Sequence, residues 1–249
     1  MPNRRSVLLG LAAAPLVLGA GRSLAQGTLS GDTLPTSAGA LTIHPVMHAT
    51  LVLGWGSHVL YFDPAKATFA GLPAPTGILI THAHGDHFDA DNLAKIAGTA
   101  PIVTTAEVVG TLPEALRAQA SVLNNGDSGM IDGVPVMAVA AYNTTADRAQ
   151  YHPKGVGNGY VLSFGDKKTY VSGDTEDTPE MRALTGIDVA FLCMNLPYTM
   201  DETQAADAVK AFRPKVVYPY HYRGSDPQKF KTLVGDAAEV RLVDWYAGT

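Results

Sequence analysis

From about residue 41 onward, the chain consists of short apolar runs separated by polar segments that contain glycine or proline. Such runs, rich in aliphatic and aromatic residues, are typical of β-strands. They predict strands at 41–45, 49–54, 58–62, 77–81, 102–104, 128–131, 134–141, 159–164, 168–172, 188–193, 215–219 and 239–243. The intervening segments predict helices at 90–97, 106–119, 178–184, 203–212 and 227–234. Because strands first follow one another as meanders and then alternate with helices, the pattern favours two mixed sheets with helices outside over a single parallel sheet.

The length and composition suit a single domain with a large core. The chain has 249 residues, of which 46% are hydrophobic and 16% are charged, whereas an average domain has about 25% charged residues. Its formal net charge is −5 and it contains no basic block, so a nucleic-acid partner is not expected. Its one cysteine excludes an intramolecular disulfide bond and a cysteine-rich zinc site.

The first 25 residues have the pattern of a bacterial export signal. Arg4 and Arg5 precede an apolar run at 7–20, and Ser23-Leu24-Ala25 supplies small residues for cleavage before Gln26. The paired arginines favour the twin-arginine route over an ordinary export signal, which shares the other elements. The run is too short for a permanent membrane anchor, which needs about 20 residues. We therefore expect a periplasmic protein with a cleaved signal at 1–25, a flexible lead-in at 26–40 and one domain at 41–249.

The strongest chemical signal is the cluster His82-Ala83-His84-Gly85-Asp86-His87, directly after the predicted strand at 77–81. Imidazole and carboxylate groups suit a divalent metal such as zinc or iron. In an extended segment, residues i and i+2 share a face, so His82 and His84 can hold one ion. Gly85 permits a sharp turn, after which Asp86 and His87 can face a second ion. The loop therefore predicts part of a metal site with room for two ions.

Four ligands from one loop do not complete two metal sites, so further ligands must come from elsewhere. Asp174 follows an apolar strand within the sequence Gly-Asp-Thr, and a carboxylate at a sheet edge suits a bridge between two ions. His221 lies just beyond the apolar strand at 215–219. Either residue taken alone is more typical of a turn or a strand end than of a metal ligand.

Taken in order, His82, His84, Asp86, His87, Asp174 and His221 resemble the ligand set of the metallo-β-lactamase superfamily. The resemblance spans about residues 41–243. Smaller features are similar to a hydrolase branch that includes L-ascorbate-6-phosphate lactonase, namely His48-Ala49-Thr50, Asp63-Pro64, Gly159-Tyr160 and Tyr198-Thr199-Met200. The resemblance implies an α/β (α+β) fold, a four-layer αββα sandwich with the metals at one sheet edge. It also implies a first metal on His82 and His84, a second on Asp86, His87 and His221, and Asp174 as the bridge.

The chain departs from the family pattern at one ligand of the first metal. The family normally supplies a third histidine between the H-x-H-x-D-H loop and Gly-Asp-Thr, but the strand at 134–141 is followed here by Tyr142-Asn143-Thr144. The one histidine in this interval is His152. Imidazole is the better zinc ligand, which favours His152. The alternatives are a weaker oxygen ligand from Asn143, or a first site that stays partly open.

Other residues are candidates for supporting roles. His48 and Asp63 could orient the ligand side chains, although an aspartate before proline is equally typical of a strand end. Asn143, Tyr198 and Tyr222 are candidates for the wall of a substrate pocket. Cys193 lies in an apolar strand, which predicts a buried and inert thiol.

These residues predict a metal-dependent hydrolase that holds two divalent metal ions, with zinc preferred and manganese or iron as alternatives. A metal-activated hydroxide at a mono- or dinuclear site would attack an ester, lactone, amide or phosphoester, and Asp86 would orient it and pass a proton to the leaving group. The expected partner is a small-molecule substrate. Two alternatives belong to other classes: a non-enzymatic or decayed metal-binding envelope protein, and a di-iron redox protein on the same fold.

Overall fold

The computed structural model describes residues 29–246, which form two seven-stranded β-sheets flanked by helices. The first sheet contains β1 (Asp32–Thr36), β2 (Gly39–Met47), β3 (Thr50–Trp55), β4 (His58–Phe62), β5 (Gly77–Leu79), β6 (Ile102–Thr104) and β7 (Ala120–Val122). The second contains β8 (Ser128–Ile131), β9 (Val134–Ala141), β10 (Gly157–Phe164), β11 (Lys167–Val171), β12 (Val189–Cys193), β13 (Val216–Tyr220) and β14 (Glu239–Val240). The helices are α1 (Ala90–Ile96), α2 (Ala106–Thr111), α3 (Glu114–Arg117), α4 (Pro179–Arg182), α5 (Glu202–Phe212) and α6 (Pro227–Val234).

Both sheets have the same topology, in which neighbouring strands are consecutive in the chain. In the first sheet, β1 to β4 pair antiparallel and β4 to β7 pair parallel. In the second sheet, β8 to β11 pair antiparallel and β11 to β14 pair parallel. Antiparallel neighbours need only a short turn, whereas parallel neighbours need a crossover connection. Each half of the described chain is therefore a meander followed by parallel strands. The segment 123–127 connects the first sheet to the second.

Two hydrophobic cores hold the layers together. The larger core lies between the sheets and extends under α4, α5 and α6, and it includes Phe62, Tyr160, Phe191 and Trp245, each no more than 1% exposed. The smaller core joins the outer face of the first sheet to α1, α2 and α3. This arrangement confirms the αββα sandwich that the sequence predicts.

The prediction of a flexible lead-in over 26–40 is wrong for its later part. Asp32–Thr36 forms β1 and pairs with β2 along its whole length. Pro35 is tolerated there because an edge strand need not donate a hydrogen bond from every residue. The predicted export signal at 1–25 and the first residues of the lead-in lie outside the described residues.

The predicted helix at 106–119 is also wrong as a single element. Leu112 adopts an extended backbone with ψ 140° before Pro113, so the segment divides into α2 and α3. A residue before proline is disfavoured in the helical conformation, which accounts for the break. Strand β7 was not predicted, and the strand expected at 239–243 is limited to Glu239–Val240. Among residues 29–246, no helix combines the length and apolar character needed to cross a membrane.

Candidate metal centre

The predicted ligands meet at one edge of the sandwich because most of them follow the carboxyl ends of strands. The segment His82–His87 follows β5, Asp174 follows β11, and His221 directly follows β13. In sheets with parallel strands, this is the edge at which ligands usually bind. His152 comes from the loop between β9 and β10, and His48 from the turn between β2 and β3.

The donor atoms form three sets, and within each set they lie no more than 4.8 Å apart. The sets are His82, His84 and His152; His82, His87 and Asp174; and His48, Asp86 and His221. Every residue that the sequence predicts as a ligand therefore belongs to at least one set. His82 joins two of the sets, and the third lies beside them, because Nε2 of His221 is 3.7 Å from Oδ1 of Asp174.

Four buried atoms in this cluster have the character of metal ligands. Among the described residues, Nε2 of His82, His87 and His152 and Oδ1 of Asp174 are buried and have no hydrogen-bond partner. Unpaired buried polar atoms are costly and call for an explanation such as a bound ion. Since imidazole nitrogen and carboxylate oxygen are suitable ligands for zinc and related ions, the residues present fit a divalent metal.

Hydrogen bonds at Nδ1 of two histidines explain why their Nε2 atoms are free. Nδ1 of His87 donates to Oδ2 of Asp63 at 2.7 Å, and Nδ1 of His152 lies 3.1 Å from the carbonyl oxygen of Tyr198. Because both partners are acceptors, Nδ1 carries a proton, and Nε2 is the ring nitrogen that faces the cluster. Such partners fix the tautomer and the orientation of metal-binding histidines.

Asp63 is placed where it can take the orienting role that the sequence suggests for it. Its side chain is completely buried, and besides His87 it accepts hydrogen bonds from the backbone N–H of Thr81 at 2.7 Å and the Thr81 hydroxyl at 2.8 Å. The Thr81 hydroxyl also lies 3.0 Å from Nδ1 of His82. The hydroxyl proton points to Asp63, so Nδ1 of His82 is the donor in this last bond. One buried carboxylate therefore orients His87 directly and His82 through Thr81.

Asp174 occupies the middle of the cluster. Its carboxylate oxygens lie 3.3 Å from Nε2 of His87, 3.3 Å from Nε2 of His152 and 3.7 Å from Nε2 of His221. Burial alone would raise the pKa of Asp174, but the nearby imidazoles of His221 and His87 outweigh it and hold the pKa well below its usual range. An ionised carboxylate between two groups of histidines has the position expected of a bridging ligand.

The protonation of the histidines follows from the same environment. Burial lowers the pKa of His82 well below its ordinary value, and it also lowers the pKa of His84. Both imidazoles are therefore neutral, which is the form that binds a metal. For His87, burial acts in the same direction, but the carboxylates of Asp174 and Asp63 outweigh it and raise the pKa well above its ordinary value.

Asp86 is the more accessible carboxylate of the cluster, with its side chain 42% exposed. Its Oδ2 lies 3.1 Å from Nε2 of His48 and 3.2 Å from Nε2 of His221. Burial would raise the pKa of Asp86, but hydrogen bonds with His221 and His48 dominate and hold the pKa far below its usual range. Nδ1 of His48 lies 2.9 Å from the hydroxyl of Tyr246, so His48 connects Asp86 to the C-terminal segment.

His152 and Asn143 have different positions, although the sequence left open which of them completes the first site. His152 joins His82 and His84 in one donor set. The side-chain nitrogen of Asn143 instead donates to the carbonyl oxygens of Tyr198 at 2.6 Å and Arg148 at 3.0 Å. Its backbone N–H also donates to the carbonyl oxygen of His152 at 2.8 Å. Asn143 is thus buried behind His152 and is not part of the pocket wall that the sequence analysis assigned to it.

Three residues of the cluster have an unusual backbone conformation. His48, Asp63 and His221 have φ values of 52°, 45° and 49°. This left-handed region is unfavourable for residues other than glycine, and such strain is concentrated at functional sites. The backbone N–H of His221 donates to the carbonyl oxygen of His48 at 3.2 Å, so the two strained segments support each other.

A cavity of about 700 Å³ opens above the cluster, and Asp86, His152, Asp174 and His221 are among the residues that line it. Tyr198 lines this cavity as predicted, whereas Tyr222 does not. The hydroxyl of Tyr222 donates to the carbonyl oxygen of Val243 at 3.2 Å, which directs this side chain to the C-terminal segment.

Sequence reasoning missed several residues that the structure brings to the site. Lys66, Tyr151 and Arg223 also line the cavity. Their proximity to Asp63, His152 and His221 in the chain was a signal that could have found them. Glu176, two residues after Asp174, is completely buried and holds the loop that leads to His152, through contacts with Thr144, Thr145 and Arg148.

Comparisons with known proteins agree with this geometry. A model of the β-lactamase superfamily domain matches residues 42–221. A UPF0173 metal-dependent hydrolase of Pyrococcus horikoshii is 38% identical over 178 residues, which cover 67% of this chain and 77% of that protein. The crystal structure of a Parabacteroides distasonis protein assigned to the metal-dependent hydrolases has a TM-score of 0.79 and 38% identity, covering 86% of this chain and 98% of that one. A metallo hydrolase of Ignicoccus hospitalis shares the fold, with a TM-score of 0.68 and 24% identity over 82% of this chain and 95% of that one.

Proposed function

The chain belongs to the metallo-β-lactamase superfamily and is one of its metal-dependent hydrolases, and we propose that it uses a dinuclear zinc centre to hydrolyse an ester, lactone, amide or phosphoester. One observation carries the proposal: the buried Nε2 atoms of His82, His87 and His152 and Oδ1 of Asp174 converge without hydrogen-bond partners among the described residues. A non-enzymatic envelope protein would not need the open cavity above them.

We assign the ligands from the three donor sets. His82, His84 and His152 would hold the first ion. Asp86, His87 and His221 would hold the second, since Oδ2 of Asp86 lies 3.2 Å from Nε2 of His221 and 3.9 Å from Nε2 of His87. Asp174 would bridge them, because its oxygens lie close to histidines of both groups. His48 and Asp63 would orient Asp86 and His87 through the hydrogen bonds described above.

The chemistry follows from the character of this centre. Bound divalent ions would supply Lewis acidity that lowers the pKa of water and polarises the scissile bond. Asp86 is the carboxylate with access to the cavity, whereas the side chain of Asp174 is only 4% exposed. Asp86 would therefore orient the attacking water, accept its proton and return the proton to the leaving group. His48 holds Asp86 in place for this transfer, since its Nε2 lies 3.1 Å from Oδ2.

Metal analysis combined with a substrate panel tests this function. We expect two equivalents of metal per chain and turnover of at least one small ester, lactone, amide or phosphodiester, with loss of turnover after chelation and recovery with zinc. Asp174→Asn should lower both metal content and turnover, because it removes the bridging charge.

Asp132→Asn is the matched control, since Asp132 pairs with His58 at 2.8 Å outside the centre. This variant should retain the metal content and the turnover of the wild-type protein. Turnover that survives complete removal of metal would refute the proposed mechanism.

We also propose that the protein is exported and that residues 1–25 are removed before Gln26. Support comes from Arg4 and Arg5, the apolar run after them and the small residues at Ser23 and Ala25. N-terminal sequencing of the periplasmic protein tests the cleavage site. Replacing both arginines with lysine should block export by the twin-arginine route, whereas an ordinary signal should tolerate the change because the charge is kept.

A further inference from the structure

We propose that the substrate is an amphiphilic organic anion, whose anionic group binds Lys66 and Arg223 and whose apolar part packs against Tyr151 and Tyr198. All four residues line the cavity above the metal centre. The inference depends on the proposed function, because it concerns the substrate of that same centre.

The charge of the cavity wall differs from that of the rest of the protein. The chain has 23 acidic and 18 basic residues. Among the described residues that line the cavity, however, Lys66 and Arg223 are accompanied by only two carboxylates, Asp86 and Asp174, and both belong to the metal cluster. Outside the metal cluster, the charged side chains of this wall are therefore cationic. Clefts with one sign of charge concentrate ligands of the opposite sign.

No ion pair neutralises either cation in the described part of the chain. Within residues 29–246, Lys66 and Arg223 form no ion pair with a carboxylate, whereas surface cations such as Lys154, Arg182 and Lys229 do. Both side chains are thus available to an anionic ligand. Arginine and lysine are the usual partners of carboxylate and phosphate groups.

Arg223 is held at a fixed place relative to the metal centre. Its guanidinium carbon lies 5.0 Å from the ring centroid of Tyr246, whose hydroxyl contacts Nδ1 of His48 at 2.9 Å. It also follows His221 by two residues. An anion bound to Arg223 would therefore lie beside the set formed by His48, Asp86 and His221.

The aromatic wall lies beside the other ligand set. The rings of Tyr151 and Tyr198 meet edge to face, with centroids 5.1 Å apart, and Tyr198 is 46% exposed. Tyr151 directly precedes His152, and the carbonyl oxygen of Tyr198 accepts the hydrogen bond from His152. An apolar substituent packed here would lie next to His82, His84 and His152. The scissile bond would then lie above the centre, between the aromatic wall and the cations.

Binding of a probe pair measures the cationic site without catalysis. Naphthalene-2-sulfonate carries an aromatic ring and a negative charge, and 2-(methylsulfonyl)naphthalene is its neutral counterpart. By calorimetry on the metal-loaded full chain, we expect the sulfonate to bind more tightly. Arg223→Gln and Lys66→Gln should each lower the binding affinity for the sulfonate by about fivefold, which is the effect of one partly exposed ion pair. Neither variant should change the affinity for the sulfone.

Two further variants test whether the changes in probe affinity are specific to the two cations. Tyr198→Ala should lower the binding affinity for both probes, because it removes the aromatic contact that they share. Lys231→Gln should change neither, since Lys231 lies on α6 and does not line the cavity. Bound metal ions also attract anions, so all variants are compared at equal metal content. Equal affinity of the wild-type protein for both probes, or a sulfonate affinity that Arg223→Gln and Lys66→Gln leave unchanged, would overturn the proposal.

The catalytic measurement separates this inference from the proposed function. Aryl esters with a neutral or a carboxylate-bearing leaving group should differ in kcat/KM in favour of the anion, and the double variant of Lys66 and Arg223 should remove the difference. If no chelator-sensitive turnover is found but the protein still binds the sulfonate more tightly than the sulfone, the proposed hydrolase function is refuted and the anion-binding site is supported. If neutral and anionic esters are hydrolysed with equal kcat/KM, the preference for an anionic substrate is refuted and the hydrolase function is supported.

Discussion

At the scale of single residues, the histidines of the centre differ in what fixes their orientation. His87 donates to a buried carboxylate, His82 to a hydroxyl and His152 to a backbone carbonyl. The sequence analysis identified all three as candidates and suggested Asp63 as an orienting group, but it could not show which ring each of Asp63, Thr81 and Tyr198 contacts, because that depends on the folded chain. The orientation of each ring is therefore a property of the fold.

The first residue-scale prediction concerns His152 and Asn143. His152→Ala should weaken the first metal by at least about tenfold, because it removes one of three imidazoles in the set. Asn143→Ala should have a smaller effect, since Asn143 contacts the backbone around His152. Metal content after dialysis against graded chelator measures both. His58→Ala, outside the centre, is the control, and equal metal retention in His152→Ala and the control would contradict the assignment.

The second residue-scale prediction concerns Asp63. Asp63→Asn keeps the volume of the side chain but replaces a charged acceptor of the proton on Nδ1 of His87. We expect metal affinity to fall by about tenfold to a hundredfold, the usual effect of losing such an orienting partner. Competition with a chromophoric chelator measures the affinity. An unchanged affinity would show that Thr81 and the backbone suffice to hold the ring.

At the scale of elements, the loop between β9 and β10 is the part of the site with the least regular structure. Glu176 fixes it by accepting hydrogen bonds from the backbone N–H groups of Thr144 at 2.7 Å and Thr145 at 2.6 Å, and by pairing with Arg148 at 2.8 Å. Arg148 in turn donates to the carbonyl oxygen of Thr199 at 2.7 Å. A buried carboxylate next to Asp174 thus determines where His152 is presented.

Glu176→Gln should loosen this loop. We expect a loss of about 2 kcal/mol in the free energy of unfolding, because buried charge-assisted hydrogen bonds are weakened, together with weaker binding of the first metal. Asp177→Asn is the matched control: Asp177 pairs with the partly exposed Arg182, and such pairs contribute about 1 kcal/mol or less. Urea unfolding and metal titration report the two effects, and equal behaviour of the two variants would refute the role of Glu176.

The elements also show where sequence patterns stop being informative. The strands that carry the site were predicted, since buried runs such as Val189–Cys193 and Val216–Tyr220 are continuously apolar. Strands β1 and β7 were missed because edge strands are short and half exposed, and their residues lack a distinct apolar pattern. Their pairing is decided by the neighbouring strand, which a local pattern does not contain.

At the scale of the whole molecule, Cys193 is an internal reporter of unfolding. Burial raises the pKa of its thiol to about 12, with the nearby Asp174 adding to the shift. The thiol is therefore protonated and inaccessible in the folded protein at pH 8. We expect a thiol reagent to modify native protein at the rate of global opening and denatured protein at once, and rapid modification of native protein would contradict the buried position.

The raised pKa of the Cys193 thiol makes the free energy of unfolding depend on pH. In the unfolded chain the thiol ionises near its ordinary value of 9.0, whereas in the folded protein it ionises near 12. The contribution to stability is therefore complete below the ordinary pKa and is lost as pH rises through the folded pKa. Urea midpoints at pH 8 and pH 10 should show lower stability at the higher pH, and Cys193→Ala should reduce the difference.

The strand order has a last consequence for the molecule as an assembly. The chain changes sheets at 123–127, so His82, His84, Asp86 and His87 belong to one half-molecule, and His152, Asp174 and His221 belong to the other. An ion held by ligands from both groups would cross-link the two halves, and ligand binding to the native state adds to its stability. Two fragments divided at this turn would be expected to reassociate more tightly with zinc than without it. The supply of metal would then govern the association of the two halves as well as activity.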